Sequence, residues 1–440
     1  MESILIKNGV VVTLDDDHHW WTNGQVYIED GQIVAVGDFD ETAYTPDRII
    51  DAAGNIVMPG LINAHHHLYS TFARGFTPPG EPARNFQEIL ERLWWKLDVA
   101  LEPEDVYYSA LIAVMYAARA GCTTIIDHHA SPSCAEGSLD LIEKAFREVG
   151  LSGCLCYEVS DRNQQGEGIA ENERFIKQTQ AADDDQITAL FGLHALMTLS
   201  TPTLERSAEI AHAHGVGFHV HAAEAEVDVQ TTFEQYQRRL MDRFLDFGIP
   251  SSRSIFVHGI HFEAREMDLL KTTDSILVNN PESNMNNGLS VTPILEMCAR
   301  GVLVGLGTDG MSSHMISQAR ALYLLQRTYR RDPRVAFVEA ADILLKNNRA
   351  ICNRLFKTPR GQLAPGQLAD VVIADYVPFT PLSADNFYGH LLYGLSFARM
   401  GTTIARGRVI MENGQLVGID EAAVRAKCVE RARNLWARIT

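Results

Sequence analysis

Five polar residues stand where chemistry could be done: His65 and His67 in "GLINAHHHLYS" (residues 60–70), His221 in "FHVHAAEAE", His258 in "VHGIH" and Asp309 in "GLGTDG". Side chains alternate faces along an extended strand, so His65 and His67 point one way and His66 the other. Two imidazoles on one face make half a metal site. With His221 and Asp309 the set becomes three imidazoles and a carboxylate, which suits one borderline divalent ion that keeps a water in its open position. Zinc is the default occupant, and Fe2+ accepts the same donors. Such an ion lowers the pKa of its water to about 7 and so generates hydroxide at neutral pH.

A hydrolysis of this kind needs a group that collects the water's proton and hands it to the leaving part. Glu224 lies three residues beyond His221, where the chain leaves the strand and can swing a carboxylate toward the water. Glu226 is the alternative and reads as a loop carboxylate. His258 is either a further ligand or the residue that orients the hydroxide; the second role is favoured, because the other imidazoles and Asp309 already fill the protein positions of a one-metal site. Asp309 could both touch the metal and accept a proton, with Gly307 and Gly310 letting the backbone turn beside it. His219 shares a face with His221 one pleat deeper, and reads as a packed core histidine.

The elements that must position these groups recur along the chain. Eight strand-like segments, "VMPGLINAHHH", "CTTIIDHH", "GCLCYEV", "ITALFGLHA", "GVGFHVHAAE", "SIFVHGIHF", "SILVNNPESN" and "VLVGLGTDG", alternate with helical patterns. Among the latter are "EPEDVYYSALIAVMYAARAG", stopped by Gly121, and "TPTLERSAEIAHAHG", with Thr201 or Thr203 available as N-cap. This is the pattern of an α/β chain folded as a (β/α)8 TIM-type barrel over residues 59–359, whose active groups gather at the C-terminal ends of the strands. His65, His67, His221, His258 and Asp309 all fall at such ends. Short alternating runs with Asn8-Gly9, Asp30-Gly31 and Asn413-Gly414 as hairpin signals flank the barrel on both sides. Neither end has enough strands for its own core, so residues 1–58 and 360–418 are expected to combine into one small β-sandwich domain. Residues 419–440 read as a C-terminal helix.

A formal charge of −18 without Lys/Arg clusters argues against a nucleic-acid partner, and leaves a small molecule as the expected one. The seven cysteines are odd in number and scattered, which fits a reducing compartment better than a disulfide framework. No leader pattern or run of membrane-spanning length is present, so the expectation is a cytoplasmic protein without a membrane partner.

"PGLINAHHH", "HVHAAE", "VHGIH", "NNPESNMNN" and "GLGTDG", in this order, resemble the amidohydrolase superfamily in its cytosine-deaminase and triazine-hydrolase branch. "LWWKLD", "DHHASP", "SNMNN" and "TPLSADN" are similar to the SsnA-type aminohydrolases associated with selenium metabolism. The resemblance implies that His65, His67, His221 and Asp309 bind one metal, that Glu224 shuttles protons and that His258 orients the water. It also implies that His194, in "LHALMT", faces the substrate. Arg74 and Trp94 or Trp95 are further pocket candidates, and His128 and His129 are expected in packing or supporting roles. Two-metal relatives carry a carboxylated lysine at the end of the fourth strand; "ITALFGLHALMT" has none, which implies a single ion. Asn279 stands where relatives often have histidine, and is taken with His194 and Arg74 as substrate-binding. His314 replaces a common acidic residue, and Leu196 and Met197 replace a proline and an aromatic. These departures are expected at the pocket mouth. A homodimer is suggested by analogy alone.

The expected activity is a hydrolytic deaminase that replaces an exocyclic amine on an N-heterocycle by hydroxide. The rival readings are hydrolysis of a cyclic amide, usually a two-metal chemistry, and a silent metal-binding scaffold. An intact Glu224 speaks against the scaffold.

Overall fold

The protein is described from a computed structural model that covers residues 2–162, 166–182, 184–310 and 312–439. Five strands lead the chain: β1 (Ile4–Val12), β2 (Trp20–Glu29), β3 (Gln32–Gly37), β4 (Arg48–Asp51) and β5 (Ile56–Pro59). Four more close it: β16 (Val371–Asp375), β17 (Arg399–Ala405), β18 (Arg408–Glu412) and β19 (Gln415–Leu416). They form one sheet in the order β19-β18-β17-β16-β5-β1-β2-β3, with β4 beside β1, so both chain ends share it through the β5–β16 pair. Where a sandwich is expected of the two ends, the strands form one sheet rolled on itself. Ile33 in β3 bonds to the backbone of Gly366 and Gln367 just ahead of β16. Inside the roll Ile4, Ile28, Val57, Val371 and Ile404 make an apolar core of their own.

Asp30-Gly31 and Asn413-Gly414 are the tight hairpin turns expected, with both residues of each pair at positive φ. Asn8-Gly9 is not a turn. It lies inside β1, where Asn8 at φ 59° and a slipped register between Ile6 and Gly9 form a bulge whose Lys7 and Asn8 carbonyls accept from Ala52 and Gly54.

The barrel strands are β6 (Leu61–His67), β7 (Cys122–Asp127), β8 (Ser152–Leu155), β9 (Ile187–Ala189), β10 (Phe191–Leu193), β11 (Phe218–Ala222), β12 (Ile255–His258), β13 (Ile276–Asn279), β14 (Leu303–Leu306) and β15 (Asp309–Gly310). The fourth strand of the ring is broken into β9 and β10, and the eighth into β14 and β15. Hydrogen bonding therefore runs as two five-stranded arcs, β15-β6-β7-β8-β9 and β10-β11-β12-β13-β14. The arcs meet at the two broken strands, and this closes a (β/α)8 barrel.

The helix Pro103–Arg119 begins with a Glu102–Asp105 capping box and stops before Gly121 at φ 79°. The helix Thr201–Ala213 is capped by Ser200, whose hydroxyl accepts from the Thr203 amide, rather than by Thr201 or Thr203. Capping there puts Pro202 in the first turn, where its missing N–H costs no helical bond. The C-terminal helix Glu421–Ile439 crosses back over Pro103–Arg119; its Arg431 reaches Glu102, Glu104 and buried Asp105, and Trp436 donates to the Phe72 carbonyl at 2.7 Å. That contact anchors the segment after β6, which carries one wall of the central cavity. All seven cysteines are unpaired, and among the described residues no helix is long and apolar enough to cross a membrane.

Candidate metal centre and active site

His65, His67, His221, His258 and Asp309 converge at one mouth of the barrel. His67 Nε2 lies 3.1 Å from His221 Nε2 and 3.2 Å from Asp309 Oδ1, and His65 Nε2 lies 3.5 Å from the same oxygen. Four donors at about 2.0–2.1 Å around a tetrahedral ion would stand roughly 3.3–3.4 Å apart. The observed separations bracket that value. His65 Nε2 is buried and, among the described residues, has no hydrogen-bond partner, so this atom in particular calls for an ion.

Each imidazole is held so that Nε2 is the free donor. His67 Nδ1 donates to the His128 carbonyl at 2.6 Å, and His221 Nδ1 to the His194 carbonyl at 3.1 Å. His65 Nδ1 is paired with His219 Nε2 at 2.9 Å, and His219 Nδ1 faces Cys156 Sγ at 3.7 Å. Such partners fix the tautomer and ring plane of a metal ligand. His219 is thus more than packing. We expect His219→Phe to weaken zinc binding by about 10–100-fold, read by competition with a chromophoric chelator; an unchanged affinity would reduce His219 to a filler. His66 points away, its Nδ1 on the Asp309 carbonyl.

Burial drives His65 down to about 3 and His221 well below the ordinary range, so both stay neutral. Burial also pushes His67 down, but the opposed Asp309 carboxylate outweighs it and holds His67 at about 9. Burial would lift Asp309, yet the facing His65 and His67 imidazoles hold it well below the usual carboxylate range. The carboxylate is thus built to face positive charge.

Two of the five groups reach the centre through backbone strain. In the register His258 sits beside Ala222 and Asp309 beside His66, positions that alternate away from the centre. Both residues adopt left-handed φ, 76° for His258 and 59° for Asp309, which re-aims their side chains inward. Such a conformation costs a non-glycine residue on the order of 1–3 kcal/mol and collects at functional sites.

Glu224 follows Ala223, itself at φ 52°, and its Oε2 lies 3.5 Å from His258 Nε2. Burial, then the nearby Asp309 and Asp228 charges, push its pKa well up, toward the protonated form. Glu224, His258 and Asp309 offer atoms within 4.8 Å of one another. The short helix Pro281–Asn286 braces this trio: Asn284 accepts from His258 Nδ1 at 2.9 Å, and Ser283 donates to Asp309 Oδ2 at 2.6 Å. Neither residue was picked out by sequence reasoning.

Above the centre opens a cavity of about 330 Å³. His194 lines it, as do Trp94, Trp95 and the exposed Arg74, whose guanidinium stands 5.2 Å from the Tyr116 ring. Asn279 does not line it. It is buried behind the site, donating to Thr292 Oγ1 at 3.0 Å, and Thr292 in turn donates to the His258 carbonyl at 3.2 Å; its work is to hold strand ends, not substrate. The other departures also lie off this wall. His314 caps the helix Met315–Arg330, Leu196 is buried, and Met197 lines a small side cavity. His128 and His129 are buried supports: His128 Nε2 lies 3.0 Å from the Leu193 carbonyl and His129 Nε2 2.8 Å from Ser131 Oγ. Glu226 is exposed on the helix Glu226–Tyr236.

Another part of the cavity lining was missed in the sequence. It carries Asp98, Glu158 and Arg162, with Arg162 bonded to Glu158 at 2.9 Å and 3.7 Å from Asp98. Glu158, a buried carboxylate three residues beyond the end of β8 and within the third strand-like segment, was an available signal.

The amidohydrolase family model matches residues 56–410. The 5'-deoxyadenosine deaminase of Methanosarcina acetivorans is 29% identical over 445 residues, covering 100% of this chain and 99% of its own. The 5-methylthioadenosine/S-adenosylhomocysteine deaminase of Desulfitobacterium hafniense is 29% identical over 448 residues, covering 99% of each. Among solved structures, an adenosine deaminase from Xanthomonas campestris with bound zinc superposes with a TM-score of 0.85 at 22% identity, over 99% of this chain and 98% of that one. The zinc complex of atrazine chlorohydrolase from Arthrobacter aurescens gives 0.82 at 21%, over 99% and 100%. These two likenesses speak for the fold.

Proposed function

The chain belongs to the amidohydrolase family, and we propose that it deaminates an amino-substituted N-heterocycle with one divalent ion, by preference zinc. The observation that carries this reading is the convergence of His65, His67, His221 and Asp309 with Glu224 and His258 placed against the same carboxylate. An ion held by His65, His67, His221 and Asp309 would make a water nucleophilic at neutral pH. Asp309 and His258 orient that water toward the amine-bearing ring carbon. Glu224 gives its proton to the adjacent ring nitrogen as the C–O bond forms, then takes up a proton from the water through Asp309. It passes that proton to the exocyclic amine, and the C–N bond breaks to release ammonia as the proton of the new C–OH returns to Glu224, which restores the starting acid. The ring keeps oxygen and one added hydrogen, so water is the only co-substrate.

The relatives' names point to adenine nucleosides as a first panel, and the seven unpaired cysteines suit a reducing, cytoplasmic setting. Zinc-loaded protein should release ammonia from at least one member of a set of aminated purines, their nucleosides, pterins, pyrimidines and triazines. Ring opening without ammonia, or two ions per chain, would replace this reading with cyclic-amide hydrolysis.

A further inference from the structure

His194 and Glu158 face the cavity side by side, next to His221 and apart from the proton-transfer trio. The hydroxyl of Thr198 donates to the Ala195 carbonyl at 3.0 Å, so it must accept from His194 Nδ1, 2.7 Å away. With the ring hydrogen placed on Nδ1 by that contact, Nε2 is the acceptor atom of the imidazole and turns to the cavity. Glu158 Oε1 stands 4.0 Å from that nitrogen and already serves as an acceptor, taking a hydrogen bond from the Arg162 guanidinium at 2.9 Å. Two acceptors at this spacing repel a carbonyl and can both be reached by one amine nitrogen, since N–H···acceptor distances of about 2.9 Å close the triangle. The same groups do not make a second metal site, because Arg162 already supplies the positive partner of Glu158.

We propose that His194 and Glu158 are specificity-determining residues that bind a second exocyclic amine, so that the substrate class is a diaminated N-heterocycle with one amine at the reacting carbon and the other in this pair. This deepens the deaminase reading and rests on it for the position of the reacting amine. An oxo group in place of the second amine would leave both acceptors buried and opposed to a third, an arrangement that polar sites reject strongly.

The test compares 2,6-diaminopurine riboside with isoguanosine, and 2,4-diaminopteridine with 4-amino-2-oxopteridine, by calorimetric binding to the zinc-loaded full chain and by ammonia release. In at least one ring system the diamino compound should bind about 10–100-fold more tightly. Glu158→Gln, which can turn an amide N–H to the oxo group, should erase or reverse that preference. Should this variant fail to fold, as judged by metal content and melting, His194→Asn reads the same pair. Equal binding, oxo preference, binding of no probe, or a preference untouched by either variant overturns the proposal. So does a second ion that is lost with Glu158. Diamino preference without ammonia release upholds the recognition pair and sinks the deaminase reading. Ammonia release without the preference does the reverse.

Discussion

Glu224→Gln is expected to lower turnover by about 1,000-fold while metal content stays at one ion per chain. Glutamine copies the shape of a protonated glutamate and keeps its hydrogen bonding, but it cannot pass a proton on. Glu224 is not among the four donors that converge on the centre, so its replacement spares the ion. Because the role proposed for Glu224 is proton transfer and not substrate or metal binding, the loss should fall on kcat more than on KM. A variant within tenfold of the parent would remove Glu224 from the proton path and leave Asp309 alone to serve.

His67→Ala should have the largest effect on both chemistry and stability. It removes the imidazole that lies 3.1 Å from His221 Nε2 and 3.2 Å from Asp309 Oδ1. Three donors remain, and Asp309 loses the neighbour that most offsets its charge. Zinc stoichiometry should fall close to zero, activity should vanish, and added zinc should restore neither. The parent stripped by a chelator should differ in one respect: it should regain activity on adding zinc. An ion held at 1,000 times its dissociation constant stabilises the fold by about 4 kcal/mol, so stripped parent and variant should melt several degrees below the loaded enzyme. A fully loaded and active His67→Ala protein would overturn the ligand assignment.

Much of this site was legible because strands have a period of two and barrels place function at strand ends. His65, His67 and His221 follow from alternation, and the eight segments follow from their apolar runs. His258 and Asp309 were singled out by strand-end position, but alternation alone would turn both outward; only their left-handed backbones bring them in. Asn279 shows the opposite case, a polar strand-end residue whose side chain bonds behind the site. Loops were the blind spot. Asp98 comes from the segment after β6 and Arg162 from the one after β8, and no periodicity says that these two meet across a cavity. The Asn8-Gly9 bulge failed for a related reason: a dipeptide that tolerates positive φ marks the conformation but not the element that uses it.

The two arcs of the barrel give the metal donors a mechanical meaning. His65, His67 and Asp309 belong to the arc that contains β6 and β15, whereas His221 and the adjacent His258 belong to the other. An ion coordinated by both sets would act as a rivet across a closed ring that has two seams in its hydrogen bonding. Breathing at those seams, near Leu190 and Thr308, would then be the motion most damped by loading, and amide exchange there would rise first when the rivet is drawn.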